Sequence, residues 1–271
     1  MLKNVLLAAS ALAISAGAAY AAPAIGLVNG NQLFDFDTTA PTISGALRNI
    51  TGLTGGDTTL TGLDYRPTNA ALYGLAAGGN LYTINPITGV ATFTAAFTPS
   101  PSGASSDIAF NPAVDRLRTV GVDGQNLRTN VDGGATTVDA AINPAGSTIV
   151  AIAYTNQVAG TVASTILYDI TSDGNLTIQN PPNNGTLVPV GSLGISGITG
   201  FDIDGVNGNA AFASTDNSLY SINLGTGAAT LVGGFGTSGV TDIAVVGVPE
   251  PMSIAMLGFG LVGLAAIRRR I

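Results

Sequence analysis

Five short segments of this chain repeat one another at intervals of about 45 residues, a constraint that few folds satisfy. Residues 72–85 align without a gap with residues 167–180, and the same unit returns at 29–37, 122–130 and 215–223. Each copy is anchored by a leucine: Leu33, Leu81, Leu127, Leu176 or Leu219. A small polar residue precedes each anchor (Gln32, Asn80, Asn126, Asn175, Ser218). Asn and Gly there and just before tolerate the positive φ of a tight hairpin, so the anchor opens a strand after a turn. Thr88-Gly89, Gly133-Gly134 and Thr226-Gly227 then close that strand, and a short fourth strand follows, as at 91–97 and 228–233.

A second column lies upstream of each hairpin. It runs through residues 63–67, 108–112, 152–156, 201–205 and 243–247, where large apolar residues alternate with Asp or Ala. That is the period of a strand with two unlike faces, and the small residues suit a crowded inner position. Each unit is therefore four strands long, the size of a propeller blade. Four units run in order from Leu60. The fifth is divided: its first strand is 240–246 and its other three lie within 24–53. The predicted fold is all-β, a five-bladed β-propeller with one blade split between the two ends of the domain. A β-sandwich or a β-solenoid does not need its ends to complete one another.

The two termini read differently from the repeats. Lys3, the apolar stretch 5–16 and Ala19-Tyr20-Ala21 form a secretory signal peptide, with cleavage expected between Ala21 and Ala22. At the other end, Pro249-Glu250-Pro251 precedes an uncharged run, 252–267, and Arg268-Arg269-Arg270. The run approaches the ~20 residues that span a bilayer, and the arginines favour a cytoplasmic end. This tripartite tail resembles the bacterial PEP-CTERM sorting signal. The resemblance implies Sec export, a transient inner-membrane helix and processing by an exosortase, in bacteria that export polysaccharide. The expected organisation is a signal helix at 1–21, a propeller at 22–247 and a sorting signal with a membrane helix at 248–271. The protein would reside in the cell envelope or outside the cell.

Composition removes much chemistry. The chain has no Cys, His or Trp; its one Lys is Lys3 and its one Glu is Glu250. Nucleophile systems built on His or Cys, and Schiff bases, are excluded. Zinc normally wants His or Cys, whereas an oxygen-ligand metal such as calcium is still permitted. Fifteen Asp against five Arg leave the exported part near −10, which repels nucleic acid.

Several separate motifs resemble the bacterial domain-of-unknown-function 4394 family (DUF4394). They are Tyr65-Arg66-Pro67-Thr68-Asn69, Asp115-Arg116-Leu117-Arg118, Gln125-Asn126-Leu127-Arg128, Ala153-Tyr154-Thr155-Asn156, Gln179-Asn180-Pro181-Pro182-Asn183 and Gly200-Phe201-Asp202-Ile203. Thr68 stands where that family carries Ala. The resemblance implies no activity.

Two constellations could carry function. Arg116 and Arg118 share a strand face; Arg128 lies on the hairpin partner and Arg66 in the preceding blade. Such a fork suits a carboxylate or sulfate of an acidic glycan, unless Asp64, Asp107, Asp115 or Asp123 pairs with it. Asp64 and Asp202 occupy equivalent inner-strand places, with Asp107 and Asp242 two residues earlier in their own repeats. Inner acids can bind a cation such as calcium, act as a glycosidase pair, or simply accept backbone amides. Residues 202–209 faintly resemble a calcium loop without its closing Glu, and 180–185 reads as a rigid surface turn. The sequence favours a non-enzymatic exported propeller that binds a surface protein or extracellular polysaccharide. A glycan hydrolase using the inner aspartates and a purely structural matrix protein are the alternatives.

Overall fold

The computed structural model describes residues 21–102 and 105–246. Residues 1–20 of the expected signal helix, the expected sorting motif Pro249-Glu250-Pro251 and the apolar run beyond it lie outside the described residues. Among the described residues no helix is long and apolar enough to cross a membrane.

Among the described residues twenty strands form five four-stranded antiparallel sheets. The first blade takes β1 (Pro23–Val28), β2 (Gln32–Asp37) and β3 (Ala40–Asn49) from the start of the domain. The second blade comprises β4 (Leu60–Arg66), β5 (Ala71–Ala76), β6 (Asn80–Ile84) and β7 (Ala91–Ala96). The third holds β8 (Ser105–Asn111), β9 (Arg116–Gly121), β10 (Asn126–Asn130) and β11 (Ala135–Val138). The fourth holds β12 (Ile149–Tyr154), β13 (Leu167–Thr171), β14 (Asn175–Gln179) and β15 (Leu187–Ser192). The fifth holds β16 (Ile198–Asp204), β17 (Ala210–Thr215), β18 (Ser218–Ile222) and β19 (Ala229–Gly234). Finally β20 (Val240–Val245) pairs with β1, matching Gly26 to Ile243 and Ala24 to Val245, and completes the first blade. The split repeat read from the sequence is thus a closed ring, and closure removes the sheet edges that would otherwise stand open at the junction.

The inner strands β4, β8, β12, β16 and β20 touch in that order around the axis. Core residues lie between blades, one apolar cluster to each seam. All five anchor leucines are buried, at 1% exposure or less. They hold the seams because each lies one residue inside the third strand of its blade, where it faces the neighbouring sheet.

Candidate functional site

Inner strands pair on one side only, so alternate amides of each point at the axis without a sheet partner. Aspartates take up most of them. Asp107 accepts the amides of Ile108 (2.7 Å) and of Ile152 in the next blade (2.9 Å). Asp242 does the same for Ile243 and Leu63, and Asp202 for Ile203 and Val245. Asp64 accepts Phe110 at 2.6 Å and Tyr65 in its own strand. Four of the five seams are thereby latched from blade to blade. At the seam between β12 and β16 the equivalent places are Ala151 and Ala153, and among the described residues no carboxylate reaches across. The axis is narrow: a Cβ on Gly62 would come within 3.1 Å of Asp107 Oδ1, and one on Gly200 within 2.5 Å of Asp242 Oδ1.

All four acids are at most 6% exposed. Burial, then the charge of Asp202, pushes the Asp64 carboxyl well above its ordinary range, against the pull of its two amide bonds. Burial and the Asp242 charge do the same to Asp107. Burial likewise raises Asp242, and it raises Asp202 to about 7. Carboxyls packed this closely cannot all ionise.

The loop after β12 covers Asp64. Gln157 is 5% exposed and inserts toward the axis, donating to the Phe110 carbonyl (3.0 Å) and reaching Asp64. Farther along, Gly160 N–H donates to the Pro67 carbonyl and Val162 N–H to that of Pro112, so the loop straps across the second and third blades. Gly205 lets it pass, since a Cβ there would stand 2.2 Å from the Gln157 nitrogen. The acids therefore hold backbone under a cover rather than facing an open cleft. Among the described residues no group of three or more acidic side chains is placed to hold a metal ion. The 202–209 segment is the end of β16 followed by a turn, in which Asp204 accepts the amides of Val206 and Asn207.

The arginines divide. Arg66 does not join the others: it reaches Asp115 and Asp132 with paired bonds and touches the Tyr73 hydroxyl. Those bonds, Asp115 first, raise the Arg66 guanidinium further above its usual range, and the Arg66 bond lowers Asp132. Arg116, Arg118 and Arg128 converge on a cavity of about 360 Å³ between the third and fourth blades, with Asn111 and Asn183 beside them. Arg118 is 2% exposed and donates to Asn126, Asp139 and Asn183. Asp139 is clamped between Arg118 and Arg128 at 2.7 and 3.0 Å. Burial alone would raise the Asp139 carboxyl, but the bonds from Arg128 and Arg118 prevail and hold it below its ordinary range. Arg116 donates only to the carbonyls of Val114 and Asp115 and forms no ion pair among the described residues.

Behind Arg118 lies Asp169. Its neighbours Tyr168 and Ile170 pack against the fifth blade, so Asp169 faces the third. It is fully buried, neither carboxylate oxygen has a partner, and burial pushes it up to about 8 against the pull of Arg118.

Three of the four arginines singled out in the sequence meet in one cavity. Asp139, Asn183 and Gln157 went unread. Asn183 lies in the Pro182–Asn184 3-10 turn, which the sequence presented as a rigid surface turn and as part of a family motif, not as a site. Its side-chain oxygen holds Arg118. The motif containing it and the two Arg motifs occupy one place in space, and their shared polar character was the available signal.

No curated protein matches the chain. Among solved structures, the computationally designed Ika8 protein is similar at 13% identity and a TM-score of 0.39, over 77% of this chain and 60% of that one. The Dos1 propeller is similar at 12% identity and a TM-score of 0.42, over 78% and 63%. This chain thus spans less than two thirds of the length of either. The model of the family described as "Domain of unknown function (DUF4394)" matches residues 32–244, through all five blades, and the chain belongs to that family.

Proposed function

We propose that this propeller is an exported, non-enzymatic binding protein whose cavity between the third and fourth blades takes a carboxylate or sulfate of an acidic extracellular polysaccharide. One observation carries the reading: among the described residues, the side-chain polar groups of the residues lining that cavity that form no hydrogen bond are donors. They are Nε and Nη2 of Arg116, Nη1 of Arg128, and the amide nitrogens of Asn111 and Asn183. The acceptors there are engaged: Asn111 Oδ1 by two amides, Asn183 Oδ1 by Arg118, and Asp139 by two arginines. Three arginines against Asp139 leave two positive charges (3 − 1) in a chain whose net charge is −7. The free Nε/Nη2 edge of Arg116 is the edge that holds a carboxylate with two parallel bonds. Binding rather than hydrolysis is favoured because Asp64 and Asp202 are occupied by backbone amides. The reading needs no cofactor.

Calorimetric titration with polygalacturonate, against neutral dextran, tests it. Arg116→Gln should weaken binding about tenfold, as expected for losing hydrogen bonds to a charged group, with an unchanged melting curve. Equal binding of dextran, or binding indifferent to Arg116→Gln, overturns the site. Delivery to the surface through the Pro249-Glu250-Pro251 tail belongs to the same proposal. Protein recovered from a host with an active exosortase should have a mass lacking Arg268 to Arg270, and their retention refutes that part.

A further inference from the structure

A second and larger cavity, about 570 Å³, opens where the two ends of the domain lie side by side. Ala21 to Ile25 and Val246 line it together, and the Val246 amide donates to the Pro23 carbonyl at 2.9 Å. Its lining is mostly apolar, and its only charges among the described residues, Asp35 and Arg48, neutralise each other in an ion pair. Two turns complete the rim with side chains that water would not select: Ile87, 74% exposed, and Val206, 48% exposed. Both belong to the propeller face on which β20 ends. The uncharged run at 252–267 begins six residues after Val246. At no more than about 3.6 Å per residue, its start lies within ~22 Å of the cavity rim.

We propose that the part of this face formed by the first, second and fifth blades lies against a lipid bilayer, with Ile87 and Val206 meeting the membrane surface at the mouth of the apolar cavity. The inference rests on the reading of 252–267 as a membrane segment. A segment entering the bilayer so close to Val246 brings this face, and not the opposite one, to the lipid. The local charge balance fits: a strongly acidic protein would be held off an anionic surface, but this mouth is neutral, which suits zwitterionic lipid.

The chain contains no cysteine, so single-cysteine variants label cleanly. Ile87→Cys, Val206→Cys and Val122→Cys in the full chain would each carry an environment-sensitive fluorophore. Val122 is a suitable control because it is exposed in the β9–β10 turn on the opposite face. The labelled chains are reconstituted with phosphatidylcholine vesicles containing headgroup nitroxide lipids. Labels at 87 and 206 should shift to the blue and be quenched several-fold more than the label at 122. A chain that does not float with the vesicles overturns the membrane reading of the tail and this proposal with it. A chain that floats but is quenched equally at all three positions overturns the orientation alone. A blue shift without quenching means that protein, not lipid, covers the cavity, and it also overturns the proposal.

Discussion

The two sides of the fourth blade are held in opposite ways. Toward the third blade, Asp107 latches β8 to β12 at the axis, and polar groups (Arg118, Asn126, Asp169) lie between the sheets beside a small apolar cluster. Toward the fifth blade there is no carboxylate latch. Ile170, Leu176, Phe201, Ile203 and Ile222 pack there instead, and Asn156 and Asn209 exchange bonds at the end of the seam. Burial holds that seam with few directional bonds, and the cavity left between its blades is small, about 100 Å³. A seam held by aimed hydrogen bonds can give up part of its apolar core and keep a cavity lined with charge. The candidate site lies on the polar side for that reason.

The largest expected effect tests the apolar side. Phe201→Ala should destabilise the protein by about 3–5 kcal/mol, the usual range for emptying a buried aromatic site. A loss under ~1 kcal/mol in urea melts would mean that packing does not hold this seam. Next comes the latch. Asp107→Ala strands the amides of Ile108 and Ile152 at about 1–3 kcal/mol for each buried unmet group; less what removing a buried carboxyl returns, it should cost about 2–4 kcal/mol. If the melting curve is unchanged, the carboxylates are incidental to blade docking.

The smallest effect separates the two sides by pH. Asp169, raised to about 8, binds its proton more tightly in the folded chain than in the unfolded one. Its contribution is therefore full below the unfolded value near 4 and is lost as pH climbs to about 8. The raised axial acids, with Asp202 at about 7, add in the same direction. Stability should fall between pH ~5 and ~8, and Asp169→Asn should flatten that fall by on the order of 2 kcal/mol. Stability that rises over this interval, or a slope untouched by Asp169→Asn, would show that Asp169 is ionised in the fold.

Much of the architecture was legible because repetition reports the fold directly. The spacing of Leu33, Leu81, Leu127, Leu176 and Leu219 marked the blades, and the half-repeats at 24–53 and 240–246 marked the closure. The grouping of Arg116 and Arg118 was legible from strand alternation. The diversion of Arg66 was not, because its partners Asp115 and Asp132 lie in turns whose direction no period reveals. Asp139 was hidden for another reason: it lies just past β11, and the register of β9, β10 and β11 within the third blade brings it between Arg118 and Arg128, its amide donating to the Asn126 carbonyl. The strap from Gln157 to Val162 has no repeat counterpart, so nothing in the other four units announced it.

The pairing of β1 with β20 has a consequence for any process that delivers this chain from one end, whether synthesis or translocation. Three strands of the first blade emerge at the outset, yet their innermost neighbour arrives only after about two hundred further residues. Until then Ile25, Leu27 and Phe34 lack one wall of their enclosure, and Leu63 lacks the carboxylate that will cap its amide. The ring is thus a checkpoint in time: nothing upstream is finished until the final strand is free of the ribosome or the pore.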